Sequence, residues 1–215
     1  MFGIHQSLMN TKYSNNNLTT CSTFNNFKGT AAKIYIDFLF IFSGVYHSTF
    51  AKASHLWNSL SRSTQFSDRV RDIIGSLLEM PNETRWNSLY RAMCKLKKII
   101  DKLNDLMNEL DQRPFSPIEL TFIDEYEIVM KGLAYTLDQL QSDSASLGMV
   151  LPAICKLEKY LEDKIAEKSL KICEPLARFV LWDLRERTAE YKNDRDYILG
   201  KIRCEFKKEN YLCTY

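Results

Sequence analysis

The sequence predicts an all-α protein, an antiparallel helical bundle built from hairpins behind a poorly ordered N-terminal leader. Three observations predict it. Apolar residues recur at alternating steps of three and four through most of the chain, the period of a helix with one buried face. The breaks between these segments are rich in Pro, Gly, Ser and Asp. Only one short run could serve as a strand.

Residues Met1 to Thr30 are rich in Asn, Ser and Thr and show no sustained period, the composition of a segment that cannot bury a core. Their opening lacks the basic, apolar and small-residue order of a secretory signal. Ile34 to Val45 is the one strongly apolar run. It is shorter than the ~20 residues that span a bilayer and reads as a buried strand or a core helix. Asp37 sits within it. The run is also what translation of a polypyrimidine tract ahead of a splice acceptor would give, an account in which residues 1–45 replace other coding sequence. The expected organisation is therefore a leader over 1–45, a helical domain over 46–211 and a tail over 212–215.

From Phe50 onward Phe50, Ala53, Trp57 and Leu60 share a helical face, with Trp57 read as core. Ser61 to Thr64 is a polar break, after which Phe66, Val70, Ile73 and Leu77 recur at helical spacing up to a stop between Gly75 and Met80. The central stretch follows, Met80 to Leu110. A Pro81-Asn82 turn places Arg85 and Trp86 at the mouth of a long helix whose stripe is Leu89, Met93, Leu96, Ile100, Leu103, Met107 and Leu110. Offset by two positions, roughly 200° around at 100° per residue, Arg91, Lys95, Lys98 and Lys102 form a basic row facing away from the core. Such a row is commonly a solvated face; it is also the form a phosphate contact takes. Arg85 at a helix end has the geometry to hold a phosphate.

Pro114 and Pro117 close the central helix. Ser116, Pro117 and Glu119 form a capping-box start for the next one, which carries Phe122, Tyr126, Val129, Leu133, Leu137 and Leu140 inward and completes an antiparallel hairpin. After the small-residue turn Gln141 to Gly148, Pro152 starts a helix facing Ile154, Leu157, Leu161 and Ile165 to the core. Another begins near Ser169 with Ile172, Leu176, Phe179 and Val180, Pro175 marking a kink or a delayed start. Tyr197, Ile198, Ile202 and Phe206 form a short final helix. The adjacent acids Asp124-Glu125 and Glu162-Asp163 point apart on their helices and read as surface charge.

The chain has 215 residues, 45% hydrophobic and 26% charged, with a formal net charge of +2. That charge is too small to argue for nucleic acid, so any such reading rests on local charge. Its six cysteines, Cys21, Cys94, Cys155, Cys173, Cys204 and Cys213, contain no C-x-x-C pair and lie away from His5, His47 and His55, Cys21 excepted. This spacing excludes a zinc motif and suggests reduced thiols in an intracellular protein. Gly-rich phosphate loops, G-x-S-x-G and H-E-x-x-H are absent from the sequence.

One stretch carries a family likeness. Pro81-Asn82 with Thr84-Arg85-Trp86-Asn87-Ser88-Leu89-Tyr90 resembles the PxxTRWNSxY signature of hAT (hobo/Activator-type) transposases, where it opens the helical insertion domain of an RNase H-like catalytic fold. Tyr46 to Asn58 with Ser61-Arg62-Ser63-Thr64-Gln65 resembles that family's F-x-K-A-x-x-L-W-N and S-R-S-x-Q segments. Leu147 to Pro152 and Tyr197 to Leu199 follow in the family's order, so the resemblance covers about Tyr46 to Tyr211. It implies a nuclear, transposable-element-derived protein whose parent uses Mg or Mn and an Asp-Asp-Glu set. The aspartates belong before the matching region and the glutamate after it, so the resemblance implies no catalytic residues, no metal ligands and no cofactor in this chain. Asp37 lies where the family places other residues and is not read as a metal ligand. The DNA-binding candidates are Arg85, Trp86, Arg91, Lys95, Lys98 and Lys102, with Trp86, whose family counterpart handles a base beside the cleaved end, suited to stacking on an unpaired base. The function expected is thus a catalytically incomplete transposase-derived fragment retaining transposon-end DNA binding. The alternatives are a structural module that binds a protein partner through exposed helical faces, or part of an active transposase shortened by its gene model. No membrane partner is expected.

Overall fold

The computed structural model describes residues 30–82 and 87–199, with side chains from residue 38 onward. These residues are mostly helical and contain no strand, as an all-α fold requires. The helices are α1 (Thr30–Arg62), α2 (Thr64–Ile74), α3 (Ser88–Lys98), α4 (Ile100–Glu109), α5 (Pro117–Leu140), α6 (Leu147–Ala166) and α7 (Glu174–Asn193). A further helical turn covers 195–199. The chain divides into two compact units at Asp124 and Glu125, a point inside α5. The expected leader before residue 30 and the tail over 212–215 lie outside the described residues.

In the first unit, the Ile34–Val45 run is helix rather than strand, and α1 passes Val45 and Tyr46 without a break. Asp37 therefore lies on helical backbone. Phe42, Tyr46 and Phe50, spaced four apart on one face of α1, surround Phe122 of α5 with ring centroids 6.2, 6.0 and 6.0 Å away. Trp57 is buried, as its spacing predicts. α2 starts on Ser63, whose hydroxyl accepts the Phe66 N–H at 3.2 Å, and stops at Gly75, which takes a left-handed φ of 74° that a side chain would resist. That stop corrects one expected core position. Past Gly75 the helical phase is lost, so Leu78 is buried and Leu77, placed inward by the period, is 60% exposed.

The central stretch is two helices rather than one. At Ile99 the bonding tightens, with Ile99 N–H reaching Leu96 O at 3.2 Å and Lys102 N–H reaching Ile99 O at 2.8 Å. Leu89, Met93, Leu96, Leu103 and Met107 remain buried across the break, which keeps the stripe on one side. α4 ends at Glu109, before the prolines, and Asp111, whose φ of 52° is left-handed, lets Gln112 N–H bond Met107 O at 2.9 Å. The capping box holds: Ser116 N–H donates to Glu119 at 2.7 Å and Glu119 N–H to the Ser116 hydroxyl at 3.4 Å. Asn104 meets the Phe115 backbone, and Lys97 meets Asp124 at 3.4 Å. Position falls on one arm as it rises on the other, the register of an antiparallel hairpin.

In the second unit, the remainder of α5 packs antiparallel on α6. Gly132 lies against Tyr160, where an added Cβ would come within 2.5 Å of the ring, and the Tyr160 hydroxyl donates to Ile128 O at 2.6 Å. α6 starts at Leu147, so Pro152 lies inside it rather than at its head. α7 starts late, at Glu174 with Pro175 in its first turn, the position where a missing N–H costs least. Lys192 with Glu158 at 2.6 Å, and Arg185 with Glu162, fix α7 antiparallel to α6. No helix among the described residues is long and apolar enough to cross a membrane.

Candidate nucleic-acid interface

α3 supplies the exposed half of the basic row. Its buried side is Leu89, Ala92, Met93 and Leu96; on the other side Arg91 and Lys98 are exposed and Lys95 is half-buried. Neither Lys95 nor Lys98 meets a carboxylate among the described residues. Lys97, one step around the helix, is turned to Asp124. The fourth member of the expected row, Lys102, is exposed too but sits on a different helix. Lys102 lies on α4 beyond the Ile99 break and donates to Ile73 O at 2.6 Å, at the C-terminal end of α2. It neutralises the carbonyl end of that helix, where a cation is favoured. Arg85 and Trp86 lie outside the described residues. Just after them Asn87 and Ser88 are buried, and the Ser88 hydroxyl donates to Asn82 O, which holds Asn82 near the start of α3.

Two polar clusters escaped the sequence reading. In the first unit, Glu119 is 3% exposed and receives Lys52 at 2.7 Å, the Ser48 hydroxyl, and both the N–H and hydroxyl of Ser116. Lys52 also donates to Pro114 O at 2.8 Å. Burial pushes the Glu119 carboxyl up, but Lys52, Ser48 and Ser116 together outweigh it and hold the group below its ordinary value. The signal was half visible, since the capping box identified Glu119 and the F-x-K-A likeness identified Lys52. What joined them was tertiary.

In the second unit, Glu125 is 5% exposed and is not the surface charge expected of the Asp124-Glu125 pair. One of its oxygens accepts the Lys171 N–H and the other accepts those of Ile172 and Cys173, all at 2.8 Å. These three amides converge at the N-terminus of α7, a seat for an anion that the chain fills itself. Burial first, and then the neighbouring Glu125 charge, raise the Cys173 thiol well above its ordinary value. Cys173 is therefore a packed thiol, and like Cys94 and Cys155 it is not in a disulfide. Among the described residues no three His, Cys, Asp or Glu side chains converge as a metal-holding group.

Comparison with known proteins returns no matching family model, no matching curated protein and no matching solved structure.

Proposed function

We propose that this chain is a catalytically incomplete fragment derived from an hAT-type transposase, which binds transposon-end DNA through the outer face of α3. The observation that carries the reading is the pair Lys95 and Lys98. They stand beside Arg91 opposite the buried stripe of α3 and have no carboxylate partner among the described residues, whereas most lysines and arginines nearby are turned into ion pairs or caps. Counterion release at such a face favours a polyanion. Arg85 and Trp86 join the proposal through the resemblance of the TRWNS stretch, Arg85 for phosphate and Trp86 for an unpaired base. On this reading the protein acts in the nucleus and is not itself an enzyme.

The test is the salt dependence of duplex binding. Lys95→Gln with Lys98→Gln should weaken binding equally across sequences and lower the slope of log K against log salt by about 0.9 per lysine. Unchanged affinity and slope would return the row to a solvated face. Metal-dependent nicking of DNA, abolished by Asp37→Ala, would overturn the non-catalytic reading. A second reading, a helical module that docks a protein, draws on Phe40 and Ile41 of α1, which are 82% and 50% exposed.

A further inference from the structure

Between α5 and α6 the second unit holds a shallow groove of about 190 Å³ lined by Lys131, Gly132, Tyr135, Gln139, Lys156 and Tyr160, among others. At Gly132 the absence of a Cβ lets the Tyr160 ring and the Leu157 side chain come close to α5. The groove's two rings are held in place. The Tyr160 hydroxyl is committed to Ile128 O, and the Tyr135 hydroxyl accepts from Gln139 at 3.0 Å. Tyr135 is nevertheless 54% exposed, so much of its side chain is open to solvent.

The charged residues that line the groove, Lys131 and Lys156, are both basic, although Glu127 and Glu167 lie near its Tyr160 end. On the same unit Lys164, Arg178, Arg185, Arg187 and Lys192 are each paired with a carboxylate. Lys131 and Lys156, the two lysines at the groove, have none among the described residues. Lys156 instead rests its ammonium 5.8 Å from the Tyr135 ring centre. The volume falls below the ~300 Å³ at which drug-sized sites begin, which limits the occupant to about one planar ring with its charged group outside. A ring plus an adjacent anion, repeated along a flexible chain, is the chemistry of single-stranded nucleic acid.

We propose that the α5/α6 groove binds one nucleotide of a single strand, the base stacked on Tyr135 and its phosphate held between Lys131 and Lys156. Stacking is indifferent to base identity because every base has a π face. The site therefore tolerates any sequence and discriminates against duplex, whose bases are already stacked. It is separate from the α3 face and does not depend on it.

The experiment measures binding of the full chain to a fluorescent ten-residue oligothymidylate and to a duplex of mixed sequence. Tyr135→Ala should weaken oligothymidylate binding by about 5- to 150-fold, the range of one lost stacking contact. Tyr135→Phe should restore it. Lys131→Gln with Lys156→Gln should lower the salt slope by about 0.7 per lysine, the single-strand value. All three side chains are exposed or unpaired, so thermal midpoints should match the parent. Lys95→Gln with Lys98→Gln should leave oligothymidylate binding in place while duplex binding falls, which separates the two sites. Four results overturn the proposal: no saturable binding of the oligonucleotide, binding unaffected by Tyr135→Ala, loss of strand binding on neutralising the α3 row alone, or displacement of the strand at equal concentration by a peptide of alternating Glu and Tyr. The last would reassign the groove to an acidic protein segment.

Discussion

Replacing Glu125 tests whether a buried carboxylate organises the start of α7. Its two oxygens hold three consecutive amides, two of them, Ile172 and Cys173, belonging to buried residues and the third to exposed Lys171. In Glu125→Gln the amide oxygen can keep Ile172 and Cys173, while the Lys171 N–H turns to water. What is lost is the negative charge at a helix N-terminus, about 0.3–2 kcal/mol. In Glu125→Ala the two buried N–H groups lose their acceptor at about 1–3 kcal/mol each, in addition to the charge. Because these losses share one site they do not add fully, and about 3–5 kcal/mol is expected. At about 2–4 °C per kcal/mol for a chain of this size, the alanine variant should melt some 6–20 °C lower. Urea unfolding followed by circular dichroism measures the difference, and labelling of buried Cys173 should accelerate in step. An alanine variant within about 0.5 kcal/mol of the parent would refute the argument, since two buried amides that lose this acceptor should cost more than that.

Glu119, whose carboxyl is held below its ordinary value, binds a proton more readily when unfolded. Its contribution is therefore full above the unfolded pKa of about 4.3 and is lost as pH falls through the lower folded value. Acid unfolding of Glu119→Gln should consequently show a flatter dependence of stability on pH in that window than the parent. Lys102→Met should cost about 0.5–1 kcal/mol of stability by uncapping α2 and leave the salt slope of duplex binding unchanged, whereas the same change at Lys98 should do the reverse. Gly132→Ala should lose about 1–3 kcal/mol because its Cβ meets Tyr160 and Leu157 side chains. In a Tyr160→Ala background that substitution should instead approach the ~1 kcal/mol gain of alanine over glycine in a helix, a reversal visible in a double-mutant cycle.

Helix class and core faces were legible because burial follows a period that the chain displays. Phe122, Tyr126 and Val129, or Leu157 and Leu161, need no tertiary knowledge to be placed inward. The capping box at Ser116 was legible for the same reason, as it is a local arrangement of three residues. The break at Ile99, which involves no Pro or Gly, was not. Ile99 is an ordinary residue at which the backbone tightens, so one helix was expected where two exist and Lys102 was placed on the same helix as Lys98, whereas the left-handed Asp111 falls just after Leu110, where the central stretch was expected to end. Polar residues on buried faces were the other blind spot. Glu125 lies at core spacing from Phe122 and Val129, yet a carboxylate there reads as surface until the three amides that receive it are seen, and those are some 46 residues away. Of the DNA-binding candidates, Arg91, Lys95 and Lys98 lie opposite the buried side of α3, Arg91 and Lys98 exposed and Lys95 half-buried, while Arg85 and Trp86 fall in the segment outside the described residues.

The break at Ile99 leaves α3 and α4 with 11 and 10 residues. Helices of that length are marginal in water, because nucleation costs more than so few backbone bonds return. The basic face of α3 therefore has no independent existence; it is present only while Leu89, Met93 and Leu96 are packed. A synthetic peptide spanning residues 80–110 would be largely coil and would present its lysines with neither the spacing nor the order they have here. Affinity for DNA, if it resides on this face, should then decline along the same urea curve that unfolds the first unit, which makes a binding assay a probe of folding as much as of charge.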